Sequence, residues 1–297
     1  MISIRAARFP SQRFSAMLMS AVMALAAGAP LWAQSASADA SPDATADPVT
    51  PTAAATSSPT RERSISLRSH DDVLLEGVLV LPAASAESGT GASASSYPLA
   101  VLIHAFARDR DSLLGFADRL AAAGIAVALL DQRGHGRSRK KGIDVIYTFP
   151  VVPADQWKLA VQDQGDLLRE LREQHFDASI DSSRVAFVGV GEGALVAIAA
   201  ASRRSEARAV VLVDAPLGGS GFRPESDIGI YGPRPALLVS SALPHSAAVA
   251  DSLAEYGHGE RRRLIIDSFE QGHLLLNEPA AQEVIQWLAA TLGVDPN

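Results

Sequence analysis

Val185-Ala-Phe-Val-Gly-Val-Gly-Glu-Gly-Ala194 frames a nucleophile and then omits it. The apolar residues Val185 to Val188 read as a short buried strand, and the Ala-rich run from Glu192 to Ser202 reads as a helix. Between them, Gly189-Val-Gly-Glu-Gly193 has the G-x-S-x-G spacing of a sharp strand-to-helix turn. Such a turn needs small residues two positions either side of its centre, because a Cβ there would clash as the chain folds back. Gly189 and Gly193 meet that need. The centre should carry Ser, Cys or Asp, yet it is Gly191, which has no side chain to attack anything.

Working outward, apolar runs recur on both sides of the turn. Leu99-Ala-Val-Leu-Ile-His-Ala105 and Gly124-Ile-Ala-Val-Ala-Leu-Leu-Asp131 lie upstream, with a further strand expected around Val73 to Leu81. Ala209-Val-Val-Leu-Val-Asp214, Arg234-Pro-Ala-Leu-Leu-Val-Ser240 and Arg263-Leu-Ile-Ile-Asp267 lie downstream. Amphipathic or Ala-rich helical segments separate them, among them Gln156 to Glu173 and Pro279 to Thr291. Apolar strands alternating with helices imply a mostly parallel sheet covered on both faces. Together with D-x-R-G-x-G-x-S at Asp131 to Ser138 and Gln271-Gly-His273 near the C-terminus, this pattern resembles the α/β-hydrolase fold from about Arg61 to Thr291. The resemblance implies an α/β architecture: a mostly parallel central sheet of about eight strands with helices on both faces.

The 297 residues, 47% of them hydrophobic, suffice for one large core, expected over residues 61–295. Residues 1–33 have another character. Arg5, Arg8 and Arg13 form a basic start, Ala16 to Ala29 is apolar, and small residues follow. This pattern reads as a secretory signal peptide cleaved after Ala33 or, alternatively, after Ala38, and implies a periplasmic or secreted protein. The apolar run is shorter than the roughly 20 residues of a spanning helix, so no membrane span is expected in the mature chain. Absence of cysteine excludes a disulfide framework and a lipid-modified N-terminal Cys. Residues 34–60, nearly all Ser, Ala, Asp, Pro and Thr, read as a disordered tether, and Ala83 to Ser96 as an exposed connection of similar composition. Loss of three arginines and no acids with the leader takes the net charge from −7 to about −10. That balance argues against nucleic acid as a partner.

The resemblance implies a nucleophile, an acid and a base arriving in that chain order on separate loops. His273, after the last strand, matches the base. Leu243, in Ser240-Ser-Ala-Leu-Pro-His-Ser246, is the best match for the acid, and Leu cannot accept a hydrogen bond from imidazole. Asp214, one strand earlier, is the substitute acid, with a turn residue ahead of Pro216 as the competing reading. The oxyanion-hole positions are the backbone N–H groups of Phe106 and Glu192. Backbone donors survive side-chain changes, although the usual His-Gly pair reads His104-Ala105 here.

Two triad positions, Gly191 and Leu243, are therefore degenerate. The first functional expectation is an exported pseudoenzyme that binds a small molecule or another protein. The second is a serine-independent enzyme using His273. The third is a weak esterase-type hydrolase with a nucleophile relocated to Ser220, Ser240 or Ser241 on neighbouring loops. Asp131, Arg133, His135 and Ser138 read as loop-organising residues, and Tyr147, Phe149 and Trp157 as packing near a cleft. The seven histidines show no metal-ligand spacing, and no cofactor is implied.

Overall fold

The computed structural model describes residues 60–83, 96–146, 154–173, 180–219, 221–267, 275 and 278–294. The expected signal peptide, the tether up to residue 59, Tyr147, Phe149, Ser220 and His273 lie outside the described residues. Thr60, placed at the end of the tether by composition, already hydrogen-bonds Asp118 through its hydroxyl at 3.1 Å.

The strands are β1 (Arg61–Arg68), β2 (Val73–Leu81), β3 (Tyr97–Ile103), β4 (Ala126–Leu130), β5 (Lys140–Lys141), β6 (Asp144–Val145), β7 (Ile180–Val190), β8 (Ala207–Val213), β9 (Ala236–Ser241) and β10 (Arg261–Ile266). The helices are α1 (Leu114–Ala122), α2 (Ala154–Glu173), α3 (Glu192–Ser202), α4 (Pro224–Tyr231), α5 (Pro244–Glu255) and α6 (Glu278–Leu292). All ten strands join one sheet in the order β10-β9-β8-β7-β3-β4-β2-β5-β6, with β1 paired to β2. Pairing from β4 through β3, β7, β8 and β9 to β10 is parallel. The β1–β2, β2–β4, β2–β5 and β5–β6 pairs are antiparallel.

Parallel strands joined by helical crossovers must be covered on both faces, which is why they are apolar at successive positions. On β7, Val185 and Phe187 face a core shared with α2, α3, α4 and α5. Ala186, Val188 and Val190 face the opposite core, shared with α1 and α6. The same two-residue alternation divides β3: Leu99, Val101 and Ile103 go to the first core, Ala100 and Leu102 to the second. Helix α3 is buried along Gly193 to Ala201, and its run of alanines lets it lie close to the sheet. This sheet order sends the C-terminal ends of β3, β7, β8 and β9 to one edge, where loops meet.

A cleft at the carboxyl edge of the sheet

The turn between β7 and α3 has the geometry that its glycines suggest. A Cβ on Gly189 would overlap the backbone around Gly193, and a Cβ on Gly193 would overlap the Ile103 and His104 carbonyl oxygens. Helix α3 can therefore start directly against β3 only if both positions lack a side chain. Gly191 sits at φ 56°, ψ −126°, a backbone state that strains L side chains. Its N–H donates to the Val213 carbonyl at 2.8 Å, and its carbonyl accepts from Ala194 N–H at 3.0 Å. A Cβ at 191 would also stand 3.2 Å from Ala105 Cβ. Ala105 thus crowds the place a side chain at the turn's centre would need.

Gly191 lines a cavity of about 610 Å³ together with Ala105 to Arg108, Glu192, Asp214 to Leu217, and the start of α5 at His245, Ser246 and Val249. The Glu192 carboxylate reaches across the cavity and accepts a hydrogen bond from Phe106 N–H at 3.3 Å. The two proposed oxyanion-hole residues are therefore joined to each other through a side chain. The sequence pointed to both positions by their backbone groups, and nothing in residue spacing signalled the side-chain contact.

Asp214 is held at φ 47° by the end of β9 and the first turn of α5. Its N–H donates to Val239 O at 2.8 Å; its Oδ1 accepts from Ser241 N–H at 2.9 Å and from the Ser246 hydroxyl. Oδ2 is covered by protein and accepts no hydrogen bond among the described residues. Asp214 is thus more than a turn residue ahead of Pro216: it clamps β8, β9 and α5 together while lining the cavity. Leu243 is the residue before the first turn of α5, and it is absent from the cavity lining. His245 and Ser246, which do line it, were missed by sequence reasoning because only the packing of α5 against β9 and β10 brings them there.

Ser240 and Ser241 require a correction. Expected on a loop, they are the last two residues of β9 and are buried, with hydroxyls that have no hydrogen-bond partner among the described residues. Strand pairing with β10 continues through both residues and keeps them in the sheet. Neither faces the cavity, so neither is accessible to a substrate there.

The loops around the cavity are fixed by a buried polar network. Asp131, after β4, accepts from Arg110 N–H and Arg137 N–H, each at 2.9 Å. Arg133 donates to Asp163 at 2.6 and 2.8 Å, to Asp71 at 3.0 and 3.1 Å, and to Gln156 at 3.2 Å. The Arg133 guanidinium holds Asp71 well below the usual carboxylate range. Ser138 Oγ accepts from Glu76 N–H at 2.9 Å. These are the loop-organising roles expected from the sequence.

His104 ties this network to the cavity. Its Nδ1 lies 2.8 Å from the Ala105 carbonyl, and its Nε2 accepts from Gln132 N–H at 2.9 Å. Those partners select the neutral Nδ1–H tautomer. Burial pushes the His104 pKa down to about 4. The His135 ring packs 5.3 Å from that of His104, 5.6 Å from Phe106 and 5.4 Å from Trp157, and burial lowers its pKa too. Trp157 is a buried packing residue of this group. Away from the cavity, His70, Asp163 and Asp166 bring ligand-type atoms within 4.8 Å of one another. Their carboxylates are already engaged by Arg133, Arg169 and His70.

Known proteins have the same architecture. The serine aminopeptidase family S33 profile matches residues 96–243. The chain has the α/β-hydrolase fold. Among solved structures, the dienelactone hydrolase from Anabaena variabilis is 21% identical, with a TM-score of 0.57 over 80% of this chain and 99% of that one. The carboxyl esterase from Bacillus coagulans is 11% identical, with a TM-score of 0.57 over 78% of this chain and 99% of that one. The acetyl xylan esterase from Paenibacillus sp. R4 is 16% identical, with a TM-score of 0.56 over 77% and 89%. At these identities the likeness is one of fold. A search of curated proteins finds no match to the chain. Among the described residues, no helix of this α/β-hydrolase-fold protein is long and apolar enough to cross a membrane.

Proposed function

We propose that this chain is an exported α/β-hydrolase-fold pseudoenzyme that binds a small molecule in the cleft and has no serine-dependent turnover. The observation that carries this reading is Gly191 at the centre of the strand-to-helix turn. The turn keeps its backbone geometry, and the cavity in front of it remains open at about 610 Å³, within the usual size of ligand pockets. Covalent catalysis needs an attacking atom at that point, and none is present. Ala105 against Gly191 and Glu192 on Phe106 N–H agree with this reading, since each uses space or a donor that an acyl-transfer site would need free. Export rests on the basic and apolar pattern of residues 1–33, and the ligand-binding domain is assigned to residues 61–295.

Labelling the purified protein with a fluorophosphonate, mapped by peptide mass spectrometry beside a serine-hydrolase control, tests the reading. We expect no adduct on the chain and a full adduct on the control. An adduct on any serine, Ser220 included, would overturn it. Fractionation of the expressing cells should place the processed chain outside the cytoplasm, beginning after Ala33 or Ala38.

One observation favours a second reading. Asp214 lines the cleft with a covered carboxylate oxygen that accepts no hydrogen bond from the described residues, the kind of acceptor that could orient an imidazole. In that reading His273 and Asp214 activate water without a serine. It requires turnover that His273→Ala abolishes and Gly191→Ala leaves in place.

A further inference from the structure

The charges lining the cleft are arranged for a ligand unlike an ester carbonyl. Two carboxylates belong to its wall, those of Glu192 and Asp214, and neither forms an ion pair among the described residues. Glu192 is exposed, and its position is fixed by the hydrogen bond from Phe106 N–H. Asp214 is locked by Ser241 and Ser246, and its covered Oδ2 acts on the cavity through its field rather than by contact. The remaining wall is largely apolar, formed by Phe106, Pro216, Leu217 and Val249 with several alanines. Arg108 and His245 also line the cleft, and both are engaged in interactions of their own.

Building on the binding reading above, we infer that the cleft takes a small apolar molecule bearing an ammonium or comparable cationic nitrogen. A carbonyl or carboxylate oxygen would have to displace Glu192 from Phe106 N–H and then stand beside its carboxylate. An ammonium displaces nothing. It brings hydrogen-bond donors to the lone pairs that Glu192 leaves unused, while its apolar body covers the walls. The apolar walls beside Glu192 weaken the screening of its charge relative to open solvent, although the carboxylate itself is exposed.

Three probes sharing one body isolate the charge: 2-phenylethylamine, 2-phenylethanol and 3-phenylpropionate. Their affinities for the purified full-length chain and for Glu192→Gln are read by calorimetry at low ionic strength and pH 7. The amine should bind about tenfold more tightly than the alcohol, and the carboxylate most weakly. Glu192→Gln should reduce the amine-to-alcohol affinity ratio several-fold. Circular dichroism of the variant checks that it is folded. Equal binding of amine and alcohol, preference for the carboxylate, a ratio untouched by Glu192→Gln, or no binding of any probe would each overturn the inference. The non-catalytic reading fails by a separate readout, turnover of 2-phenylethyl acetate by the same preparation that is lost in His273→Ala.

Discussion

Gly191 holds a backbone conformation that costs an L residue on the order of 1–3 kcal/mol. A side chain there also meets Ala105 Cβ. Gly191→Ser should therefore lower unfolding stability by about 1–3 kcal/mol, measured by urea denaturation, and leave the fold intact. Adding Ala105→Gly to that variant should return the crowding part of the loss, so the two changes will be non-additive. A serine variant as stable as the parent, or strict additivity, would contradict the contact described here. The glycine frame was legible in the sequence because steric exclusion depends on residue identity and spacing alone. The Glu192 side-chain contact was not, because it depends on how far β3 and α3 stand apart and on a rotamer. Leu243, the best match for the acid from spacing, lies outside the cavity lining, whereas Asp214, the substitute, belongs to it.

At the scale of elements, two connections determine whether the cleft keeps its shape. His104 joins the end of β3 to the loop after β4, and it does so as a neutral imidazole. Its pKa of about 4, below the ordinary 6.5, means that an unfolded chain takes up a proton first as pH falls. His104 thus contributes stability that is present in full above about pH 6.5 and is lost as pH drops towards 4, to a total of roughly 3 kcal/mol. His135, Asp131 and Asp109 are the neighbouring charges that act on it, burial being the largest influence. Imidazole nitrogen resonances should show the Nδ1–H tautomer at pH 7 and a midpoint near 4; a midpoint near 6.5 would remove this role. Arg133 makes the second connection, from the loop after β4 to α2 and the β1–β2 turn. Arg133→Ala leaves Asp163 buried without its partner and should cost about 3–5 kcal/mol by thermal or urea unfolding. Strands buried on both faces were easy to recognise as apolar runs. The beginning of β7, Ile180 to Arg184, was not, because its residues are only partly covered, and neither were β5 and β6, two exposed residues each.

The described residues are built around one sheet with a core on each face, and every described element falls within the unit Ala55–Asn297. A chain beginning at Ala55 should therefore melt at the same temperature as the longer one, within experimental error. A marked drop in Tm would assign stability to the preceding residues.

The contact between Ala105 and Gly191 also gives sequence change a direction. Starting from a chain with Gly at 105 and Ser at 191, alanine enters 105 at lower cost once 191 has given up its Cβ, because a Cβ at 191 would stand 3.2 Å from that of Ala105. A return journey is easier if it begins at 105, with a step that confers nothing until 191 also changes. The contact thereby sets a modest steric bias against placing a working atom at 191 by a single mutation.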